Sequence, residues 1–381
     1  MTELLEIDDL KVAYPVRRGV IDSLTHKPRQ HVRAVDGVDL RVGRGEMVAL
    51  VGESGCGKTT IAQSILGAVA PTSGSIRLDG SDITAMSQRQ LRAVRRRVQM
   101  IYQDPYASLD PRFRVSQTIE EPMLIHGIGE SKSARKALIA SALERTGLVP
   151  AELYLDRFPH EMSGGQRQRV AIAASLAVGP DLIVADEPVS MLDVSVRASI
   201  LLLLDRLRKD TGVGVLMITH DLSTAIHFAD RIAVMYLGRI VELATAREVA
   251  HNPQHPYTKA LMSVIPHPDP QRQVQPQILR GDTPNPANVP SGCRFHTRCP
   301  VGPTVRLDRQ QCVNTDPSDG AERRLNNAAC LFTATGSDRD SDYVEGEASS
   351  MVAAEAADVV SSVDRWHGRR RSLGGVTRTT P

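Results

Sequence analysis

The chain has 381 residues, 41% hydrophobic and only 3% aromatic, with 46 Lys and Arg against 44 Asp and Glu for a formal net charge of +2. That length suits one large α/β domain plus a smaller one, and the near-neutral balance gives no argument for nucleic-acid binding. Residues 1–6 are acidic and lack the basic segment and apolar run of a signal peptide. No stretch approaches the ~20 apolar residues of a spanning helix, so membrane attachment is expected only through a partner.

In chain order, residues 4–14 and 32–50 are strand-rich, and the intervening 15–30, with its basic residues, prolines and glycine, reads as an exposed loop. Val48-Ala49-Leu50-Val51 leads directly into Gly52-Glu53-Ser54-Gly55-Cys56-Gly57-Lys58-Thr59-Thr60, which fits a phosphate-binding P-loop. Its glycines permit tight turns that aim consecutive amide N–H groups at phosphate oxygens. Lys58 is expected to reach the terminal phosphates and Thr59 to place its hydroxyl on Mg2+. Residues 59–69 read as a helix whose N-terminal dipole adds to anion binding. A strand at 75–78 and an Asp79-Gly80 turn follow.

From about 91 to 161 the pattern is mainly helical, most clearly over 132–145, and 166–178 has helical spacing again. After Pro180 an apolar strand, 182–185, ends in Asp186-Glu187. Paired carboxylates at a strand end suit one group for Mg2+ and one for the attacking water. A helix over 194–209 and an apolar strand over 213–219 precede two short strands, 231–236 and 239–242, expected to pair antiparallel. The alternation favours a parallel sheet with helices on its faces.

Composition changes near residue 252, and 266–292 reads as an extended wrapping segment. Cys293, Cys299, Cys312 and Cys330 follow as Cys-x5-Cys-x12-Cys-x17-Cys, whereas Cys56 lies inside the P-loop. Clustered cysteines in a cytoplasmic chain favour a metal or cluster over disulfides, and four thiolates ligate either iron–sulfur or Zn2+. Residues 334–381 read as a disordered tail, with a transient helix at 352–363 and Trp366 beside a basic run at 369–371.

Between the two phosphate-site motifs, Glu161-Met162-Ser163-Gly164-Gly165-Gln166 resembles the signature loop of an ABC transporter ATPase. The resemblance implies an α/β P-loop NTPase of the ABC type over 1–255, with a helical subdomain at about 91–165. It also implies a small irregular C-terminal cysteine-containing domain over 256–333. In such a protein Ser163, Gly164, Gly165 and Gln166 serve the ATP held by a second ATPase subunit in a head-to-tail dimer. Gln103 resembles the glutamine that links Mg2+ and attacking water to the helical subdomain. Asp186 would anchor Mg2+, Glu187 would polarise water, His220 would contact the terminal phosphate, Asp193 would couple the two sites, and Tyr14 would stack on adenine. Singly, each has a plainer role as a cap, a loop anchor or a surface group; their order along the chain reverses that preference.

Four further stretches resemble oligopeptide/dipeptide importer subunits: 103–111, 236–242, His255-Pro256-Tyr257-Thr258-Lys259-Ala260-Leu261, and Gly292-Cys293-Arg294-Phe295-His296-Thr297-Arg298-Cys299-Pro300. This resemblance implies a 4Fe–4S cluster on the four late cysteines, with Zn2+ as the alternative, and a subunit that hydrolyses ATP to power peptide uptake. The implied partners are a second, distinct ATPase subunit, two transmembrane permease subunits and an extracytoplasmic binding protein, with the chain on the cytoplasmic face of the membrane. An importer of nickel or another small solute is the alternative, and a soluble ABC ATPase a more distant one.

Overall fold

Two hydrophobic patterns in the first 51 residues build two different sheets. Strands β1 (Glu3–Pro15) and β2 (His31–Gly43) mix buried and exposed positions and pair antiparallel, with Val12 opposite Val35 and Leu10 opposite Val38. Strand β3 (Met47–Val51) is apolar and buried at every position, as a strand covered on both faces must be. It leads through the glycine-rich loop into helix α1 (Lys58–Ile65). β4 (Ser73–Leu78) then pairs with β1, and β5 (Ser81–Asp82) completes a four-stranded antiparallel sheet in the order β2-β1-β4-β5. This computed structural model describes residues 3–16, 31–265, 276–279, 281–317 and 328–332.

α1 stops earlier than its sequence pattern suggests. Gly67 has φ +63°, and a Cβ there would lie 2.5 Å from the Leu91 side chain, so the chain must turn at this point. Leu91 belongs to α2 (Gln88–Arg97), which begins with a capping box between Ser87 and Gln90. A strand within the expected helical region follows, β6 (Val98–Ile101), too short and too close to the Arg95-Arg96-Arg97 run to stand out by pattern.

Helices α3 (Val115–Ile125), α4 (Lys132–Arg145), α5 (Glu152–Leu155) and α6 (Gly164–Leu176) form the helical region. They share a separate core that includes Val115, Ile119, Met123, Leu143, Val170 and Ala173. The alternating part resumes with β7 (Leu182–Asp186), α7 (Val194–Thr211), β8 (Gly214–Thr219), α8 (Leu222–Phe228), β9 (Arg231–Tyr236) and β10 (Arg239–Thr245). Helices α9 (Ala246–His251), α10 (Pro256–Ser263) and α11 (Gln311–Asn314) complete the described helices.

The larger sheet has the order β10-β9-β3-β8-β7-β6, parallel except for β10 at one edge. Period-two alternation divides β3 between two cores: Met47, Ala49 and Val51 enter one, Val48 and Leu50 the other. Each such Val, Leu or Met side chain contributes about 1.5–3 kcal/mol on full burial. Parallel strands also place their C-terminal ends along one sheet edge, where crevices take ligands. The loop after β3 ends at Lys58, the first residue of α1, and the loops after β6, β7 and β8 carry Gln103, Glu187 and His220 respectively.

The described residues all fall within one unit, 1–333, and residues 334–381 lie outside those described. The expected tail, its helix at 352–363 and its basic run fall there, as do 17–30 of the expected exposed loop. The described part of the expected wrapping segment, 276–279 and 281–292, carries neither helix nor strand.

Candidate active site

The glycine-rich loop takes its shape from positions where only glycine fits. Gly55 and Gly57 have φ +80° and +110°, and a Cβ on Gly52 would lie 2.2 Å from the carbonyl oxygen of Met235. Gly57 is also the N-cap of α1, with no side-chain cap, so first-turn N–H groups of that helix face the loop. Lys58 is buried, and its ammonium donates to the carbonyls of Gly52 at 2.7 Å and Glu53 at 3.0 Å. Among the described residues it forms no ion pair, which leaves its charge for an anion. Cys56 lies 3.7 Å from the Lys58 ammonium, and burial pushes its thiol above the ordinary range. Ser54 and Gly55 are exposed and Thr60 half-buried.

The Thr59 hydroxyl donates to Asp186 at 3.0 Å across 127 residues of sequence. Burial raises the Asp186 carboxyl above its ordinary value; the Thr59 hydrogen bond and Lys58 oppose the rise, and the Glu187 charge adds to it. A buried carboxylate with one hydroxyl donor is the donor set a hard divalent cation completes. Thr59 and Asp186 therefore fit Mg2+ delivered with a nucleotide.

Glu187 sits at φ +46°, a left-handed conformation that costs a non-glycine residue about 1–2 kcal/mol. Its N–H donates to the Ile218 carbonyl at 2.8 Å, which ties this turn to β8. The turn aims its carboxylate between two loops. Gln103 Nε2 donates to one oxygen at 2.8 Å, and His220 Nδ1 lies 3.0 Å from the other. With Nδ1 facing this carboxylate, the Nε2 side of the His220 ring is turned away from Glu187. Strand ends β6, β7 and β8 thus bring Gln103, Glu187 and His220 into one hydrogen-bonded row.

The remaining expected residues lie elsewhere. Ser163 caps α6 through a reciprocal box: its hydroxyl accepts from Gln166 N–H at 3.3 Å, and Gln166 Oε1 accepts from Ser163 N–H at 3.1 Å. A Cβ on Gly165 would lie 2.5 Å from Val196, so this loop packs against the start of α7 just after exposed Asp193, its N-cap. Arg167 stacks over the Tyr106 ring at 4.0 Å, linking α6 to the segment after Gln103. Tyr14 lies on β1 opposite Val32 and is 37% exposed. Among the described residues, the hydrogen bonds around Lys58, Asp186 and Glu187 include none of Tyr14, Ser163, Gly164, Gly165, Gln166 or Asp193.

The four late cysteines correct an expectation. Among the described residues they form no disulfide, and they line one small cavity with Phe295 and Leu331. Among the described residues, no group of three or more His, Cys, Asp or Glu side chains is able to hold a metal ion. Burial pushes Cys293 up to about 12 and Cys299 up to about 11, and raises Cys312 and Cys330 as well. Burial here also disfavours the thiolate form that metal ligation uses. The 4Fe–4S cluster and its Zn2+ alternative on Cys293, Cys299, Cys312 and Cys330 are therefore withdrawn.

Aromatic packing and polar clamps hold this segment in place. Tyr236, Tyr257 and Phe295 are among the largest fully buried side chains, with ring centroids 4.9–5.4 Å apart. Arg294 bonds the buried Asp36 carboxylate and the Leu237 carbonyl, and Arg298 bonds Glu53 in the phosphate loop at 3.0 Å. No role for Tyr236, Tyr257, Arg294, Phe295 or Arg298 follows from residue type alone; their presence in stretches 236–242, 255–261 and 292–300 is the available signal.

Comparison with known proteins agrees with this geometry. The family model for the ABC transporter matches residues 35–190, and that for the oligopeptide/dipeptide transporter C-terminal region matches 241–303. A putative peptide import ATP-binding protein of Brucella ovis is 47% identical over 330 residues, covering 87% of this chain and 98% of that protein. The oligopeptide transport ATP-binding protein OppF of Salmonella typhimurium is 45% identical over 317 residues, 82% of this chain and 92% of that one. Among solved structures, the ATP-binding cassette MJ0796, in a dimeric post-hydrolysis state with ADP and Pi, aligns with TM-score 0.56 and 27% identity over 64% of this chain and 99% of its own. The chain belongs to the oligopeptide/dipeptide family of ABC transporter ATP-binding proteins, as the ATP-hydrolysing subunit of a peptide import system.

Proposed function

We propose that residues 52–60 hold the phosphates of ATP and that Glu187 activates the attacking water. The carrying observation is the row Gln103–Glu187–His220 beside the Thr59–Asp186 pair. Lys58 exchanges part of its carbonyl coordination for the terminal phosphates. Bound at Thr59, Asp186 and Gln103, Mg2+ would neutralise charge on the phosphates and orient them. Water held between Gln103 and Glu187 attacks the γ-phosphorus, and Glu187 accepts its proton. The bond to the bridging oxygen breaks with its electron pair passing to ADP, while His220 supports the terminal phosphate.

The second half of the reaction site comes from another ATPase subunit. Exposed Ser163, half-buried Gly164, Gly165 and Gln166, and exposed Asp193 support a head-to-tail pairing in which the α6 N-terminus faces the partner's γ-phosphate. A distinct homologue is the proposed partner, and Tyr14 the proposed adenine platform. The division into an ATPase domain over 1–255, with its helical subdomain at 91–165, and a C-terminal domain over 256–333 belongs to the same reading. Exposed Tyr102, Tyr106, Leu124 and Ile125 around the helical region favour docking onto two permease subunits at the cytoplasmic face. Among the described residues no helix is long and apolar enough to cross a membrane. A binding protein outside the cell delivers the peptide.

The test is hydrolysis by the assembled importer, with and without peptide-loaded binding protein. Glu187→Gln is expected to lower kcat by about 100-fold or more while MgATP binding persists, the scale of a lost general base. Peptide-stimulated hydrolysis that survives the substitution would refute the assignment of Glu187.

A further inference from the structure

Glu53, the second residue of the phosphate loop, is held on every polar group it has. Its N–H donates to the Tyr257 hydroxyl at 3.2 Å, and its carbonyl accepts from Lys58 at 3.0 Å. Its carboxylate accepts from Arg298 Nη1 at 3.0 and 3.2 Å and from the Thr283 hydroxyl. With the Cys56 N–H, which also donates to the Glu53 carbonyl at 3.3 Å, five residues hold Glu53, and three of them come from beyond the ATPase sheets, more than 200 positions later in sequence. The side chain of Arg298 is 10% exposed and also reaches the Tyr236 hydroxyl at 3.4 Å. Tyr257 is fully buried against Tyr236 and Phe295, and Arg294 anchors the same turn on Asp36. This is a rigid support behind a loop whose front is exposed.

The charge balance gives the support a consequence. A carboxylate one residue from the phosphate-binding amides repels a polyphosphate unless a cation neutralises it, and at an effective dielectric near 20 such repulsion is substantial. Arg298 supplies that cation from behind the loop. The Tyr257 contact fixes the plane of the peptide whose carbonyl holds Lys58, so the same support sets where the lysine ammonium rests.

We propose that Arg298 is a positioning residue of the ATP site: by neutralising and holding Glu53, it sets the shape and charge of the phosphate loop and makes MgATP affinity depend on the C-terminal segment. The proposal rests on the reading of residues 52–60 as the phosphate site. Its action runs through Glu53, which separates it from a purely structural role.

The experiment is MgATP binding to the full chain by titration calorimetry, with KM and kcat measured in the assembled importer. Arg298→Ala is expected to weaken binding and raise KM by about 10-fold, the loss of a charge-assisted hydrogen bond, with kcat falling less than about threefold. Adding Glu53→Gln to Arg298→Ala removes the uncompensated charge and is expected to restore affinity to within about threefold of Glu53→Gln alone. Where Arg298→Ala fails to fold, Arg298→Lys keeps the charge and is expected to weaken binding by about threefold. Unchanged affinity in a folded Arg298 variant, or no recovery in the double variant, overturns the proposal. Lys58→Ala separates the two readings. Its loss of binding beside an unchanged Arg298→Ala sinks only the role of Arg298, whereas undiminished binding by Lys58→Ala sinks the phosphate site itself.

Discussion

Asp36 and Asp186 are both aspartates with 8% of their surface exposed, yet their carboxyls shift in opposite directions. Burial pushes Asp36 up, but the Arg294 hydrogen bond and the charges of Arg294, Arg239 and Arg33 outweigh it and leave the group below its ordinary value. Burial pushes Asp186 up too, and there the Thr59 hydroxyl and a more distant lysine do not compensate. The difference separates a carboxylate whose counter-charge is built into the fold from one that the fold compensates only in part. Asp36 fastens the C-terminal segment to β2, whereas Asp186 waits beside the phosphate loop.

Breaking the paired side of this contrast is expected to cost most. Arg294→Ala leaves Asp36 buried with only partial compensation from Arg239 and Arg33, each at 3.7 Å, and about 3 kcal/mol of unfolding free energy should be lost. Chemical denaturation of the full chain measures it; a loss under about 1 kcal/mol would show that the clamp is incidental.

A middle-sized effect comes from His255, wholly buried behind the same segment. Its Nδ1 accepts from Tyr257 N–H at 3.1 Å, and burial pushes its pKa down from 6.5 to about 3. A depressed histidine stabilises the fold above its unfolded value and loses that contribution as pH falls toward the folded one. Stability should therefore drop by about 2 kcal/mol between pH 6.5 and 5, at about 1.4 kcal/mol per pH unit. His255→Gln should flatten this part of the pH profile, and an unchanged slope would reassign it to other groups.

On the unpaired side, Asp186→Asn should stabilise the nucleotide-free chain by about 1 kcal/mol, because it removes an uncompensated buried charge. The sign follows from the raised carboxyl: its contribution is present below the unfolded value of 3.8 and lost as pH rises through the folded one. The gain should thus appear at neutral pH and vanish in acid. A destabilised variant at neutral pH would mean that Asp186 is already paired.

What the sequence revealed follows the same division. The phosphate loop was legible because backbone amides, a lysine and a hydroxyl must be contiguous to cradle phosphate, and 52–60 is one stretch. Asp186-Glu187 was legible as an apolar strand ending in two carboxylates. Gln103 and His220 are ordinary residues made recognisable only by their order between these motifs. By contrast, Arg294–Asp36 and Arg298–Glu53 join positions 258 and 245 residues apart, and no local pattern encodes such a pair. β6 was hidden for a related reason, since four residues borrow their strand identity from β7 beside them. The cysteines misled because their spacing suggested ligands, while protonation depends on burial that spacing does not carry.

The most direct test of the unpaired carboxylate is the stabilisation of the full chain by ATP, with and without Mg2+, in the natural protein and in Asp186→Asn. Ligand at 100 times its dissociation constant stabilises a fold by about 2.7 kcal/mol, so the metal-dependent increment is measurable. Expected is a clear Mg2+ increment in the natural protein that disappears in Asp186→Asn, with ATP alone stabilising both. An equal Mg2+ increment in the two would contradict the assignment of Asp186 as the carboxylate that meets the cation.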